Sequence, residues 1–369
     1  MARWPDFTKT YYKAWTYVNG YELAGFEQLW RAAGDRKYLD YAKRYLEQCV
    51  DENGNFLSVT NRKGQAFRPP FDNLDNMMPG STLIWIYEET KDVRYKKAAE
   101  TIRRALDNYP RNRDGGFWHR KDWPGQMWID GIFMEGMFLL RYGKSIGDTA
   151  YCQDEVARQI TVFAKRAQAG NSGLYLHAIY EPGHTTNAPP RWADSQTGLS
   201  PEVWGEGLGW YALVVVQALA DLPKNHPRRA EVEKIFHRLA VGLKKTQDGK
   251  TGRWFDIVDK GDRPNNWTDN SGSAMFTYAL ARGIELGLLD RAEFEPVVQC
   301  GYRGITANAR INAQGLADIY SACDGVPVLS SYDRYVKYGK SVNAKEAVAG
   351  FLWATTIVEK PELEKRRNP

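Results

Sequence analysis

Five glycine turns, at Gly54, Gly115, Gly173, Gly252 and Gly315, recur at intervals of 61, 58, 79 and 63 residues, each after a charged amphipathic segment. KYLDYAKRYLEQCVDENGNF and RYKKAAETIRRALDNYPRNRDGGFW are two of these segments. Such a recurrence marks a repeated supersecondary unit, and the spacing of the apolar residues makes that unit helical. Between the charged helices lie more apolar ones, opening near Tyr21, Pro79, Asp130, Glu206, Ser271 and Ala344. Stretches such as STLIWIYEE and GWYALVVVQALADL carry little polar surface and need cover on most sides, whereas the charged set can face water.

Six apolar helices thus alternate with five charged ones, and the N-terminal stretch FTKTYYKAWTYV can supply the missing outer helix. The expected fold is all-α, an (α/α)6 barrel of six helical hairpins, with an open solenoid of helix pairs as the alternative. No linker rich in Pro, Gly or Ser divides residues 1–369, so a single domain is expected. The 79-residue interval is the longest, and its excess lies in AIYEPGHTTNAPPRWADSQTGLSPEVW. Long structured loops commonly serve a site, so this stretch should be a wall or lid.

In a closed barrel of this kind the inner helices run the same way, and their N-termini gather at one mouth. Unpaired N–H groups and helix dipoles favour anions there. The residues at those starts are Asp75 and Asn76, Asp130, Glu206, Asn270 and Ser271, and Asn343 to Glu346. Each taken alone is an ordinary N-cap candidate. Asp130, however, shares its loop with Trp118, His119, Gln126 and Trp128, and Asp75 lies one hairpin earlier. Two carboxylates held close together cannot both ionise cheaply, so one retains a proton and can act as a general acid. Sugar hydrolysis uses such a pair. His177 and the loop residues Trp192 and Asp194 should face the same opening. His226 and His237 fall in charged outer segments and should be surface residues.

Composition narrows the partners. A content of 43% hydrophobic and 26% charged residues fits a globular chain with a large core, which excludes disorder. The 13 Trp and 21 Tyr suit a cleft that stacks on flat sugar rings. A net charge of +5 without long Lys/Arg runs argues against nucleic acid. Cys49, Cys152, Cys300 and Cys323 form neither a CxxC motif nor a Cys/His cluster, so neither a zinc site nor a disulfide framework is expected. No apolar run reaches the ~18 residues that mark a membrane span, and MARWPDFTKTYYKAW has no signal-peptide core. A cytoplasmic location, away from membranes, is expected unless a leader has been removed.

Several motifs together resemble glycoside hydrolase family 105, the unsaturated rhamnogalacturonyl hydrolases, related to the family 88 unsaturated glucuronyl hydrolases. They are LDNMMPG, PRNRDGGFWHRKDWPGQMWIDGIFM, LYLHAIYEP, RWADSQTGLSPEVWGEGLGW, TGRWFDIVD and NSGSAMFTYAL, with 115–134 the most specific stretch. The resemblance implies a six-hairpin α/α barrel and a substrate that is a short oligosaccharide ending in a 4,5-unsaturated uronic acid. It also implies that Asp130 protonates the C4=C5 double bond and activates water, with Asp75 as the second carboxylate. By the same matching His119, Trp128, His177, Trp204 and Trp210 line the subsite for the unsaturated ring, and no metal or organic cofactor is implied. Gln126, Trp192 and Glu206 join them as candidate substrate contacts from their positions in the loops and at the helix start.

The chain departs from the family pattern twice. Glu206 stands in WGEGLGW where family 105 usually has Arg, placing an anion where a cation is customary. NAKE at 343–346 replaces an Asn-Asp-Pro-Lys-Gly type of sequence. Two other readings compete with the hydrolase: another α/α-barrel enzyme acting on saturated sugars, and a carbohydrate-binding barrel without activity.

Overall fold

The computed structural model describes residues 15–60 and 64–367. Its helices, in chain order, pair as α1 (Tyr17–Ala33) with α2 (Lys37–Leu46), α3 (Gly80–Thr90) with α4 (Val93–Ala105), and α5 (Ile129–Ser145) with α6 (Thr149–Arg166). Next come α7 (Gly205–Asp221) with α8 (Arg229–Thr246), and α9 (Asn270–Glu285) with α10 (Arg291–Ala307). A short α11 (Tyr332–Val336) precedes the last pair, α12 (Lys345–Val358) and α13 (Lys360–Arg367).

The first member of every pair forms an inner ring in which α1, α3, α5, α7, α9 and α12 each touch the next, and α12 packs back on α1. That closure makes the fold an (α/α)6 barrel and excludes the solenoid. Chain composition explains the sorting. In α7 nearly every residue from Gly205 to Leu219 is buried, whereas α8 buries one stripe, including Val232, Ile235, Phe236, Leu239 and Leu243, at the 3- and 4-residue spacing of a single helix face. Truncating a fully buried member such as Leu239 to Ala costs about 2–5 kcal/mol.

Five of the six inner starts expected from sequence agree closely with the structure. The first differs, since α1 begins at Tyr17 rather than near Tyr21. Residues 7–14 of the stretch expected to supply the sixth outer helix lie outside the described residues, and its Tyr17 and Val18 open α1 instead. Helix α13 follows the last inner helix and touches both α1 and α12.

The two ends of the barrel differ. Connections from an inner to the next outer helix are short, as at residues 91–92 and 146–148. Those from an outer to the next inner helix are long and carry all the strand pairs, among them Gln126–Trp128 with Ala178–Tyr180 and Trp254–Phe255 with Thr268–Asp269, both antiparallel. Loops therefore build up only at the end where the inner helices start. Among the described residues no helix is long and apolar enough to cross a membrane.

Candidate active site

Helix α5 starts where two chain segments meet. Trp128, its N-cap, has extended backbone and gives no side-chain cap, and the N–H of Ile129 instead donates to the His177 carbonyl at 2.9 Å. That bond fixes His177 beside the first turn, where its Nε2 lies 3.1 Å from Oδ2 of Asp130. On the far side His177 Nδ1 is 2.8 Å from the Tyr335 hydroxyl. The Leu329 N–H donates to that hydroxyl oxygen at 3.1 Å, leaving the phenolic proton to point at Nδ1. This network selects the tautomer in which Nε2–H donates to Asp130. His177 is 1% exposed, while the Asp130 side chain keeps 14% exposure, so the carboxylate is anchored from behind and open in front.

Asp75 reaches the same place from another element. It lies in a 3₁₀ turn, Leu74–Met77, whose N-cap Asn73 accepts the Asp75 N–H at 3.0 Å. Asp75 Oδ1 is 3.5 Å from Nε2 of the buried His119, and its side chain is 25% exposed. The turn packs directly on α5 because residue 131 is glycine: a Cβ there would lie 2.8 Å from Leu74 and 3.0 Å from His119 Nδ1. Trp128 joins the two halves. His119 stacks on its ring at 4.7 Å and 8°, and His177 meets it edge-on at 5.9 Å. The result is a continuous series running Asp75, His119, Trp128, His177, Asp130.

The remaining candidates separate into rim and interior. Gln126 is half-buried and accepts from the Trp128 indole N–H at 3.3 Å, which orients that ring. Trp192 is half-buried in the long loop, which folds back as a wall: Tyr180 donates to Gly198 and Ser200 donates to Ala178. Gly125 lets this wall approach, since a Cβ at its φ of +76° would lie 2.2 Å from the Glu181 carbonyl. Asp194 spends its carboxylate within the wall, accepting from Gln196 and from both donors of Thr197. Trp204 is buried behind His177 at 4.5 Å, and Trp210 packs inside the barrel against Tyr21 and Phe133. Both are 1% exposed, so they shape the site from behind its surface.

Glu206, expected at the opening, is fully buried in the first turn of α7, and neither of its carboxyl oxygens has a hydrogen-bond partner among the described residues. Burial, and then the nearby Glu346, Asp269, Asp130 and Asp256, hold it well above the ordinary carboxylate range. Glu346, in the first turn of α12, accepts the Tyr17 hydroxyl at 2.9 Å, and burial pushes its carboxyl up to about 7. Asp269 sits in the same buried region as a working N-cap, accepting from Ser271 and Gly272 at the start of α9 and from Cys323. Among the described residues no group of three or more His, Cys, Asp or Glu could hold a metal ion.

Sequence reasoning missed Tyr335 and Leu329. Both belong to the connection between α10 and α12, which is longer than an ordinary helix-to-helix link. The length argument applied to the third unit would have singled out this connection too.

Comparison with known proteins agrees with this fold. The profile of Glycosyl Hydrolase Family 88 matches residues 3–361. The Agrobacterium fabrum protein Atu3128 is 32% identical over 184 residues, 49% of this chain and 75% of its own. The unsaturated rhamnogalacturonyl hydrolase YesR of Bacillus subtilis is 25% identical over 274 residues, 72% of this chain and 70% of its own. A solved family 105 glycoside hydrolase from C. acetobutylicum ATCC 824 superimposes with a TM-score of 0.86 at 28% identity, covering 95% of this chain and 96% of that one.

Proposed function

The chain belongs to glycosyl hydrolase family 88, and from that membership we propose that it removes a terminal 4,5-unsaturated uronic acid from short oligosaccharides. Such substrates are what polysaccharide lyases leave behind, so the enzyme would act after a lyase, on a pectic rhamnogalacturonan-type or related chain. The observation that carries this reading is the open face of Asp130, backed by His177 and Tyr335 and joined through Trp128 and His119 to Asp75.

Asp130 delivers its proton to C4 of the double bond, and positive charge develops at C5 beside the ring oxygen. Water adds at C5 and returns a proton to the Asp130 carboxylate, so the step consumes one water and regenerates the acid. The resulting hemiketal opens and expels the neighbouring sugar. His177 serves this cycle as a positioning residue: its Nε2–H holds Oδ2, which leaves Oδ1 to face substrate and supports the carboxylate after the proton has left. Asp75 and His119 position the sugar hydroxyls on the opposite side of Trp128. General acid catalysis of this kind contributes about 10²–10⁴ in rate.

The test is loss of the ultraviolet absorbance of the conjugated double bond when purified protein meets a panel of lyase-generated disaccharides. Loss on any member supports the hydration chemistry and identifies the substrate. A flat signal across a broad panel, with binding retained, would favour the carbohydrate-binding barrel.

A further inference from the structure

A second groove lies on the same end of the barrel, outside the wall that carries Tyr335. It encloses about 820 Å³ between the turn that follows α8 and the 254–269 hairpin, and shares no lining residue with the Asp75–Asp130 series. That volume falls within the range of ligand sites.

Strand alternation sets its lining. Trp254 points into the core and is fully buried, so its neighbour Phe255 faces the groove, half-buried, with Thr268 across from it and Trp267, one residue before that strand, also in the lining. The Trp267 ring is covered by the Lys340 ammonium at 5.2 Å, and its indole N–H has no partner among the described residues. Arg253 lines the floor at 8% exposure. Its Nη1 donates to the Thr268 carbonyl at 2.9 Å, while its buried Nε has no partner among the described residues. Burying a guanidinium with an unused donor is costly unless something accepts from it. Exposed Lys250 adds a further cation at the rim, and Asp248 opposite is already engaged by both donors of Thr251.

We propose that this groove binds an acidic saccharide, with its anionic group on Arg253 and its ring beside Phe255 and the edge of Trp267, away from the place of bond cleavage. The choice of ligand rests on the function proposed above; the groove itself does not. Guanidinium is the side chain best shaped to receive a carboxylate or sulfate in two bonds. Trp267 packs against the cluster holding Trp204 and Tyr335, which both contact His177, so a saccharide held here lies one layer behind His177. A longer acidic chain would thus be gripped outside the mouth while its end is processed inside.

The experiment follows indole N–H resonances of Asp130→Asn protein during titration with saturated trigalacturonate, a probe with no double bond to hydrate. The Trp267 resonance is assigned by its loss in Trp267→Phe. We expect it to shift with its own dissociation constant, distinct from that seen at Trp128. The double substitution Lys250→Ala/Lys340→Ala should weaken that constant about fivefold, as two exposed charge contacts would, without altering the Trp128 response. In the wild-type background the same double variant should turn over an unsaturated disaccharide at the parent rate. The proposal fails if Trp267 does not respond up to millimolar saccharide, titrates only in step with Trp128, or is indifferent to loss of both lysines. Absence of hydration on every unsaturated substrate would instead overturn the functional reading and leave this result standing.

Discussion

Asp130 and Glu206 occupy the first turns of neighbouring inner helices, yet the fold treats them oppositely. Asp130 has a histidine donor, a tyrosine behind that histidine, and an open face. Glu206 is sealed in, without a donor among the described residues and with Glu346 as its strongest charged neighbour. Dipole and position favour the anion equally in both cases. The difference therefore lies in partners and solvent, and it separates a carboxyl group equipped for proton transfer from one whose burial raises its proton affinity well above the ordinary carboxylate range.

The largest effect that could break this contrast is at Asp130. Asp130→Asn should lower turnover of the correct unsaturated disaccharide by about 10²–10⁴-fold while leaving its binding and the thermal midpoint nearly unchanged. Retained turnover would remove Asp130 as the proton donor. Glu206→Gln, a change of similar shape at an enclosed carboxyl that burial shifts towards its protonated form, should by comparison keep turnover within about threefold of the parent. A loss as deep as that of Asp130→Asn would show that the two acids work as one unit.

A smaller loss is expected behind Asp130. His177→Gln should reduce kcat by about 10–100-fold with little change in KM, since it disturbs the placement of the reacting group rather than substrate contact. Tyr335→Phe removes only the bond that orients the ring and should cost several-fold, about 1 kcal/mol. Steady-state kinetics of the two variants would show whether the effects rank in that order, and equal losses would mean that Tyr335 does more than hold the histidine.

The smallest effect concerns pH. The Glu346 carboxyl is held at about 7 in the fold, above its ordinary value, so the folded state binds this proton more tightly than the unfolded chain does. The associated stability is complete below the ordinary value near 4.5 and is lost as pH rises through about 7. Thermal midpoints of Glu346→Gln should accordingly decline less between pH 5 and pH 8 than those of the parent, by about a few degrees. Parallel curves would mean that Glu346 is ionised in the fold.

Much of the architecture was legible in the sequence because it depends on local pattern. The apolar character of GWYALVVVQALAD marks an inner helix wherever it occurs, and the turn glycines mark where each unit ends. The site was legible in part. Asp75, His119, Trp128, His177 and Asp130 lie in one series of contacts, with the two aspartates at its ends, while Trp204, Trp210 and Glu206 sit behind the surface rather than on it. Helix starts identify which residues gather at the mouth, but their depth depends on what the intervening loops place above them.

The sequence by itself determined the six-fold alternation of helices, the end of the barrel where acids would collect and the identity of those acids. Only the tertiary structure decided which acid is anchored by a histidine and open in front and which is enclosed without a donor among the described residues. Helical periodicity is written within a few turns of chain. The state of a carboxyl depends instead on donors and burial supplied from far away: Tyr335 reaches His177 across 158 residues and Tyr17 reaches Glu346 across 329. No local pattern encodes such a meeting, because it exists only once the ring of helices has closed.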